Sequence, residues 1–99
     1  MIFQVEPQVT KNDIKAVSSY MESGGWLTEH KITADFEKKI SEYVSRKYAV
    51  SVPNGTIAIY LSLVSIGVKK GDKVAVPNIT MIATINAIIW AGATPVLID

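Results

Sequence analysis

The feature that most constrains this chain is where charge is missing. Residues 48–99 carry only five charged side chains, Lys69, Lys70, Asp72, Lys73 and Asp99. Residues 1–47 carry seven acidic and seven basic ones. The second half is interior in character and short of the polar surface an independent domain needs. Its apolar runs must therefore be elements covered on several sides. The chain is expected to be part of something larger, or to be covered by a partner. Ninety-nine residues leave room for one domain at most. With 48% hydrophobic and 19% charged residues, intrinsic disorder is excluded. The absence of cysteine excludes a disulfide scaffold, a Cys-ligated zinc site and a thiol nucleophile. A net charge of +1 offers no general attraction for nucleic acid or an anionic membrane.

Along the chain, residues 1–9 read as an irregular or extended arm. Thr10 and Asp13 have the spacing of a capping box. Ile14, Val17 and Met21 follow at helical spacing, and Ser23-Gly24-Gly25 stops that helix. A second helix is predicted to begin after Thr33, with Asp35 and Glu37 near its positive end and Phe36, Ile40, Tyr43 and Val44 as its apolar stripe. The pattern then changes. Tyr48–Val52 reads as a short strand, Pro53-Asn54-Gly55 as a turn, and Thr56–Ile66, apolar all round, as a buried helix. A second strand is expected over Lys73–Pro77, a mostly apolar helix over Thr80–Trp90 ending at Gly92, and a third strand over Thr94–Ile98. Strand–helix–strand–helix–strand implies an α/β fold around a mainly parallel sheet covered on both faces. Ligands in such sheets bind at the carboxyl ends of strands, here just after Val52, Val76 and Ile98. Ile79–Ala93 is the most apolar stretch, but it is interrupted by Thr80, Thr84 and Asn86. It is too short to span a bilayer. The N-terminus lacks the basic region of a signal peptide, so cytoplasmic residence is expected.

Asn54-Gly55-Thr56 ends a strand and opens a helix. Such a junction exposes backbone N–H groups with a positive helix end behind them, which suits a phosphate. Gly55 admits a close approach and the Thr56 hydroxyl adds a donor. A plain turn in which Thr56 merely caps the helix fits the same three residues. No Gly-Lys-Ser/Thr follows, so this is not a Walker loop. Met81, after the second strand, can lie against a planar ring or simply fill a core. Trp26, in the Gly24–Thr28 loop, is either an interface anchor or packing. His30, between Glu29 and Lys31, has no second ligand at metal spacing, and no metal site is expected. No Ser-His-Asp or Cys-His arrangement and no carboxylate pair placed for acid–base chemistry can be assembled.

Taken in series, these segments resemble a known family. Gly-Gly-Trp-Leu-Thr-Glu (residues 24–29), Asp35-Phe36-Glu37, Tyr-Ala-Val-Ser-Val-Pro-Asn-Gly-Thr (48–56), Gly-Asp-Lys-Val-Ala-Val-Pro (71–77), Thr-Met-Ile-Ala-Thr-Ile-Asn-Ala (80–87) and Gly-Ala-Thr-Pro-Val-Leu-Ile-Asp (92–99) look like the opening of the DegT/DnrJ/EryC1/StrS family. Its members are pyridoxal-phosphate-dependent (PLP-dependent) sugar aminotransferases of the aspartate-aminotransferase fold, fold type I. The resemblance implies the N-terminal part of the large domain, with two helices and then β-α-β-α-β. Residues 1–99 would form a single incomplete domain, with arm and helices over 1–47 and the start of the PLP-binding part over 48–99. In that fold, strands from later in the chain separate the first strand here from the next two.

The resemblance also implies roles. Gly55, Thr56 and the Ile57 amide would hold the PLP phosphate, and Met81 would pack on the pyridine ring, where many members carry an aromatic. Gly25, Trp26 and Thr28 would lie near the sugar nucleotide, and His30 stands where many members have Gly. The substrate would be a nucleotide-linked keto-deoxy sugar in amino-sugar or surface-polysaccharide biosynthesis, with glutamate as amino donor and a homodimer as the working form. No nucleic-acid or membrane partner is implied. The Schiff-base lysine is expected downstream, so no catalytic residue falls in this chain, and the 99 residues alone are expected to be inactive and prone to associate. A PLP-dependent sugar dehydratase of the same family, or a non-catalytic association or phosphate-binding module, are the alternatives.

Overall fold

A computed structural model describes residues 5–28 and 31–99. The chain forms two compact units, Met1–Ala49 and Val50–Asp99.

In the first unit, helix α1 (Lys11–Glu22) opens on the capping box that the sequence spells. The Asp13 N–H donates to Thr10 Oγ1 at 3.3 Å, and the Thr10 N–H and hydroxyl both donate to Asp13 Oδ2 at 2.7 Å. These bonds to the ionised carboxylate hold the Asp13 pKa below its ordinary value of 3.8. The stabilisation is therefore complete above the unfolded-state value and is lost as pH falls through the lower, folded one. Amide-exchange protection of the first turn of α1 is expected to decline as pH drops below about 4. Thr10→Val, which removes the hydroxyl but keeps the backbone N–H bond to Asp13, should weaken that dependence.

Helix α2 (Lys31–Tyr43) begins before Thr33, not after it. Asp35 and Glu37 consequently lie beyond the first turn, which contains no acidic residue, and the helix-dipole role read for them does not hold. The β-branched Ile32 and Thr33 are accommodated inside the helix, as propensities this weak allow. Phe36, Ile40, Tyr43 and Val44 do not form a buried stripe, since α2 contains no buried residue and Tyr43 is 88% exposed. An apolar groove of about 340 Å³ runs between α1 and α2, lined by Ala16, Val17, Tyr20, Met21, Ile32 and Thr33.

The second unit consists of α3 (Gly55–Ser65), β1 (Lys73–Pro77), α4 (Ile82–Trp90) and β2 (Thr94–Ile98). Strands β1 and β2 pair in parallel, from Lys73↔Thr94 to Pro77↔Ile98. Bonds from Thr94 N to Asp72 O and from Asn78 N to Ile98 O extend the pairing at both ends. Pro77 closes β1 because it has no N–H to donate. Gly92 follows the C-cap of α4 with φ +80°, the left-handed conformation that ends a helix. The core is small. Val76 and Ile88, each 1% exposed, and Ala93 form its centre, and Leu63, Val68, Val74 and Ile85 pack around them. The Tyr60 and Trp90 rings meet edge-on, centroids 6.4 Å apart, and join α3 to α4.

Two expectations fail here for one reason. Tyr48–Val52 is not a strand: those residues belong to no ladder. Thr56–Ile66 is a helix but not a buried one, for α3 has no buried residue and Leu61 and Val64 are 45% exposed. A strand exists only through its neighbour's hydrogen bonds, and an all-apolar helix is buried only if something covers every side. The described sheet has two strands. Val74 and Val76 point to the core, while Lys73, Ala75 and Pro77 on the other face are exposed.

Candidate functional site

The start of α3 is built by Asn54. Its backbone is extended (φ −165°, ψ 170°) and its side-chain Oδ1 accepts from the Ile57 N–H at 3.0 Å. The Ala58 N–H bonds to the Asn54 carbonyl at 3.1 Å. The Ala58 bond is the first regular bond of the helix, so of the four free amides of the helix start Asn54 engages one, that of Ile57. Among the described residues, the Gly55 and Thr56 N–H groups and the Thr56 hydroxyl have no partner. No acidic residue lies in the first turn to neutralise the positive helix end. The cap is thus Asn54 and not Thr56, as the plain-turn alternative had it, and Thr56 is left available. Asn is among the strongest N-cap residues, so this was readable from the sequence.

Gly55 carries a further signal. Its φ is not in the left-handed region, and a Cβ built on it meets no atom within 4 Å. Among the described residues, neither backbone conformation nor packing requires glycine there. A group that approaches the helix start closely does require it. Two amides, one hydroxyl, an unopposed helix end and a glycine the fold does not need fit a phosphate ester. The Ile57 amide can join them only if the Asn54 side chain lets it go.

Met81 is the N-cap of α4, with no side-chain cap bond and 75% of its surface exposed. It is not a core methionine within this chain. At the carboxyl ends of β1 and β2 lies a cleft of about 360 Å³ lined by Pro77, Asn78, Ile79, Ile98 and Asp99. This is where parallel sheets place ligands. Its lining does not include Gly55, Thr56 or Met81.

In the first unit, Gly24 (φ +66°) turns the chain after α1, and Trp26, 77% exposed, is held at its carbonyl by the Tyr20 hydroxyl at 2.6 Å. Gly25 lies against the Tyr20 ring, and Thr28 is exposed. His30 and Glu29 lie outside the described residues. Among the described residues no group of His, Cys, Asp and Glu side chains is placed to hold a metal ion, and no helix is long and apolar enough to cross a membrane.

The DegT/DnrJ/EryC1/StrS aminotransferase family model matches residues 7–99. Over 94 residues the chain is 36% identical to GDP-perosamine synthase of Escherichia coli O157:H7, covering 95% of this chain and 26% of that protein. The sugar aminotransferase Spr1654 of Streptococcus pneumoniae, solved in its PLP form, superposes with a TM-score of 0.83 at 34% identity, over 94% of this chain and 24% of that one. A GDP-4-keto-6-deoxymannose-3-dehydratase superposes with a TM-score of 0.75 at 25% identity, over 87% of this chain and 24% of that one. The chain thus spans about a quarter of the length of each of these proteins.

Proposed function

The chain belongs to the DegT/DnrJ/EryC1/StrS aminotransferase family, and from that premise we propose that it is the N-terminal part of a PLP-dependent enzyme that aminates a nucleotide-linked keto-deoxy sugar, with glutamate as donor. The observation that carries this reading is the start of α3, where Gly55 and Thr56 offer unpartnered phosphate donors and Gly55 serves no need of the fold itself.

The cofactor, when bound, would supply an aldehyde carbon that takes up and gives back the amino group and a ring that withdraws electrons as it does so. The residues of this chain bind and orient. The Gly55 and Thr56 amides and the Thr56 hydroxyl fix the phosphate. Asn54 holds the first turn in register and competes with the phosphate for the Ile57 amide. Met81 offers a polarisable thioether to one face of the ring. Gly25, Trp26 and Thr28 contact the sugar nucleotide. The net transfer converts glutamate to 2-oxoglutarate and the sugar ketone to an amine. The lysine that carries the chemistry is supplied from outside these 99 residues, and the working form is a homodimer.

Two expected results follow. The 99-residue chain, mixed with PLP, glutamate and GDP-4-keto-6-deoxymannose as probe sugar, forms no amino sugar, and an amine product from it overturns the assignment of the missing lysine. The open sheet face and the exposed Val96, Leu97 and Ile98 make the isolated chain self-associate, and a clean monomer in analytical ultracentrifugation contradicts that. The similarity to the dehydratase gives a second reading in which the same cofactor site serves removal of a sugar hydroxyl. Analysis of the product formed from the same keto sugar by the intact enzyme separates the two.

A further inference from the structure

We propose that Tyr20 is a positioning residue for the substrate loop, a latch that fixes the Gly24–Thr28 backbone so that Trp26 is presented in one place. This deepens the proposed function and rests on that reading for what the loop contacts. Tyr20 lies in the last turns of α1, and its hydroxyl donates to the Trp26 carbonyl at 2.6 Å, six residues further on. Its backbone carbonyl accepts from the Ser23 hydroxyl at 2.6 Å and the Ser23 N–H at 3.2 Å. One residue thus holds both the start and the middle of the loop.

Gly25 is the complement of this latch. A Cβ at Gly25 would stand 2.6 Å from the Tyr20 Oη and 2.8 Å from its Cζ, closer than real Cβ contacts. Gly24 already supplies the left-handed turn at φ +66°, whereas Gly25 has no positive φ. The second glycine is therefore there for the tyrosine ring and not for the turn. The outcome is an indole 77% exposed on a backbone that is tied down. A contact surface held in place in this way binds without first having to order itself.

The test uses the intact enzyme with fluorine-labelled tryptophan, the Trp26 resonance being assigned by its loss in Trp26→Phe. Tyr20→Phe keeps the ring and removes the donor. The expected result is a narrower Trp26 resonance, from an indole that moves more freely once its carbonyl is released, with the other tryptophan resonances unchanged. Gly25→Ala should loosen the loop at least as much in the parent. Introduced on top of Tyr20→Ala it should add nothing, because the atoms it strikes are gone. In the intact enzyme, Tyr20→Phe should raise KM for GDP-4-keto-6-deoxymannose about five-fold and leave kcat within about two-fold. An unchanged Trp26 linewidth in Tyr20→Phe, or a Gly25→Ala effect that persists without the tyrosine, would overturn the latch. A loosened loop with KM unmoved would overturn its positioning role. The linewidth result does not depend on turnover, so an intact enzyme that aminates no sugar removes the functional reading and leaves the latch to be judged on its own.

Discussion

Gly55→Asp in the intact enzyme is expected to abolish retention of PLP while leaving the fold at least as stable. The new Cβ meets nothing within 4 Å, so the substitution has room. A carboxylate in a first helical turn that now has no acidic residue is favourable to the helix by about 0.3–1 kcal/mol. The same carboxylate would sit among the amides proposed to receive the phosphate and would repel it. Loss of one charge-assisted bond together with like-charge repulsion amounts to about 3 kcal/mol or more, an affinity loss of at least about a hundred-fold. Titration with PLP and with pyridoxal, which lacks the phosphate, gives the check. The parent should favour the phosphorylated form strongly, and the variant should scarcely distinguish them. A Gly55→Asp enzyme that still prefers PLP would remove the α3 start from the cofactor site.

The largest stability effect is expected at Ile88. It is 1% exposed and stands with Val76 and Ala93 at the centre of the only buried hydrophobic cluster among the described residues. Ile88→Ala removes most of a fully buried aliphatic side chain and leaves a cavity between α4 and the sheet. Changes of this kind cost about 2–5 kcal/mol, comparable to the whole stability of a core this small. Ile88→Val should cost about 1 kcal/mol, and Ile79→Ala, at a side chain 95% exposed, close to nothing. Urea unfolding followed in the near-ultraviolet, where the Tyr60–Trp90 pair reports on the contact of α3 with α4, should rank the three in that order. A tolerant Ile88→Ala would mean that the described core is not what holds the Val50–Asp99 unit together.

What could be read from the sequence was what is decided locally. The Thr10–Asp13 box, the stop at Ser23-Gly24-Gly25, the exit of α4 at Gly92 and both paired strands follow from caps, glycines and prolines, and each lies where those residues put it. What could not be read depended on neighbours. Tyr48–Val52 has strand composition but belongs to no ladder among the described residues, and α3 has the composition of a buried helix but is covered on only part of its surface. The start of α2 at Lys31 is a different failure, because Ile32 and Thr33 are β-branched and their weak preference against helix is overridden.

The candidate site divides along the same line. A glycine and a threonine opening a helix after an apolar run marked the proposed phosphate donors, and Asn54 as the cap was available to the same reasoning. The approach of the Tyr20 ring to Gly25 was not, because it depends on how the loop folds back on α1. Its trace in the sequence is a doubled glycine where a turn needs only one.

The most direct test of the central claim is to follow isotope-labelled nitrogen from glutamate in the intact enzyme supplied with PLP and GDP-4-keto-6-deoxymannose. The account predicts label in a GDP-linked amino sugar and a matching yield of 2-oxoglutarate. A sugar that loses its hydroxyl and gains no label would assign the site to dehydration. Failure of both reactions with this and other nucleotide-linked keto sugars would contradict the account.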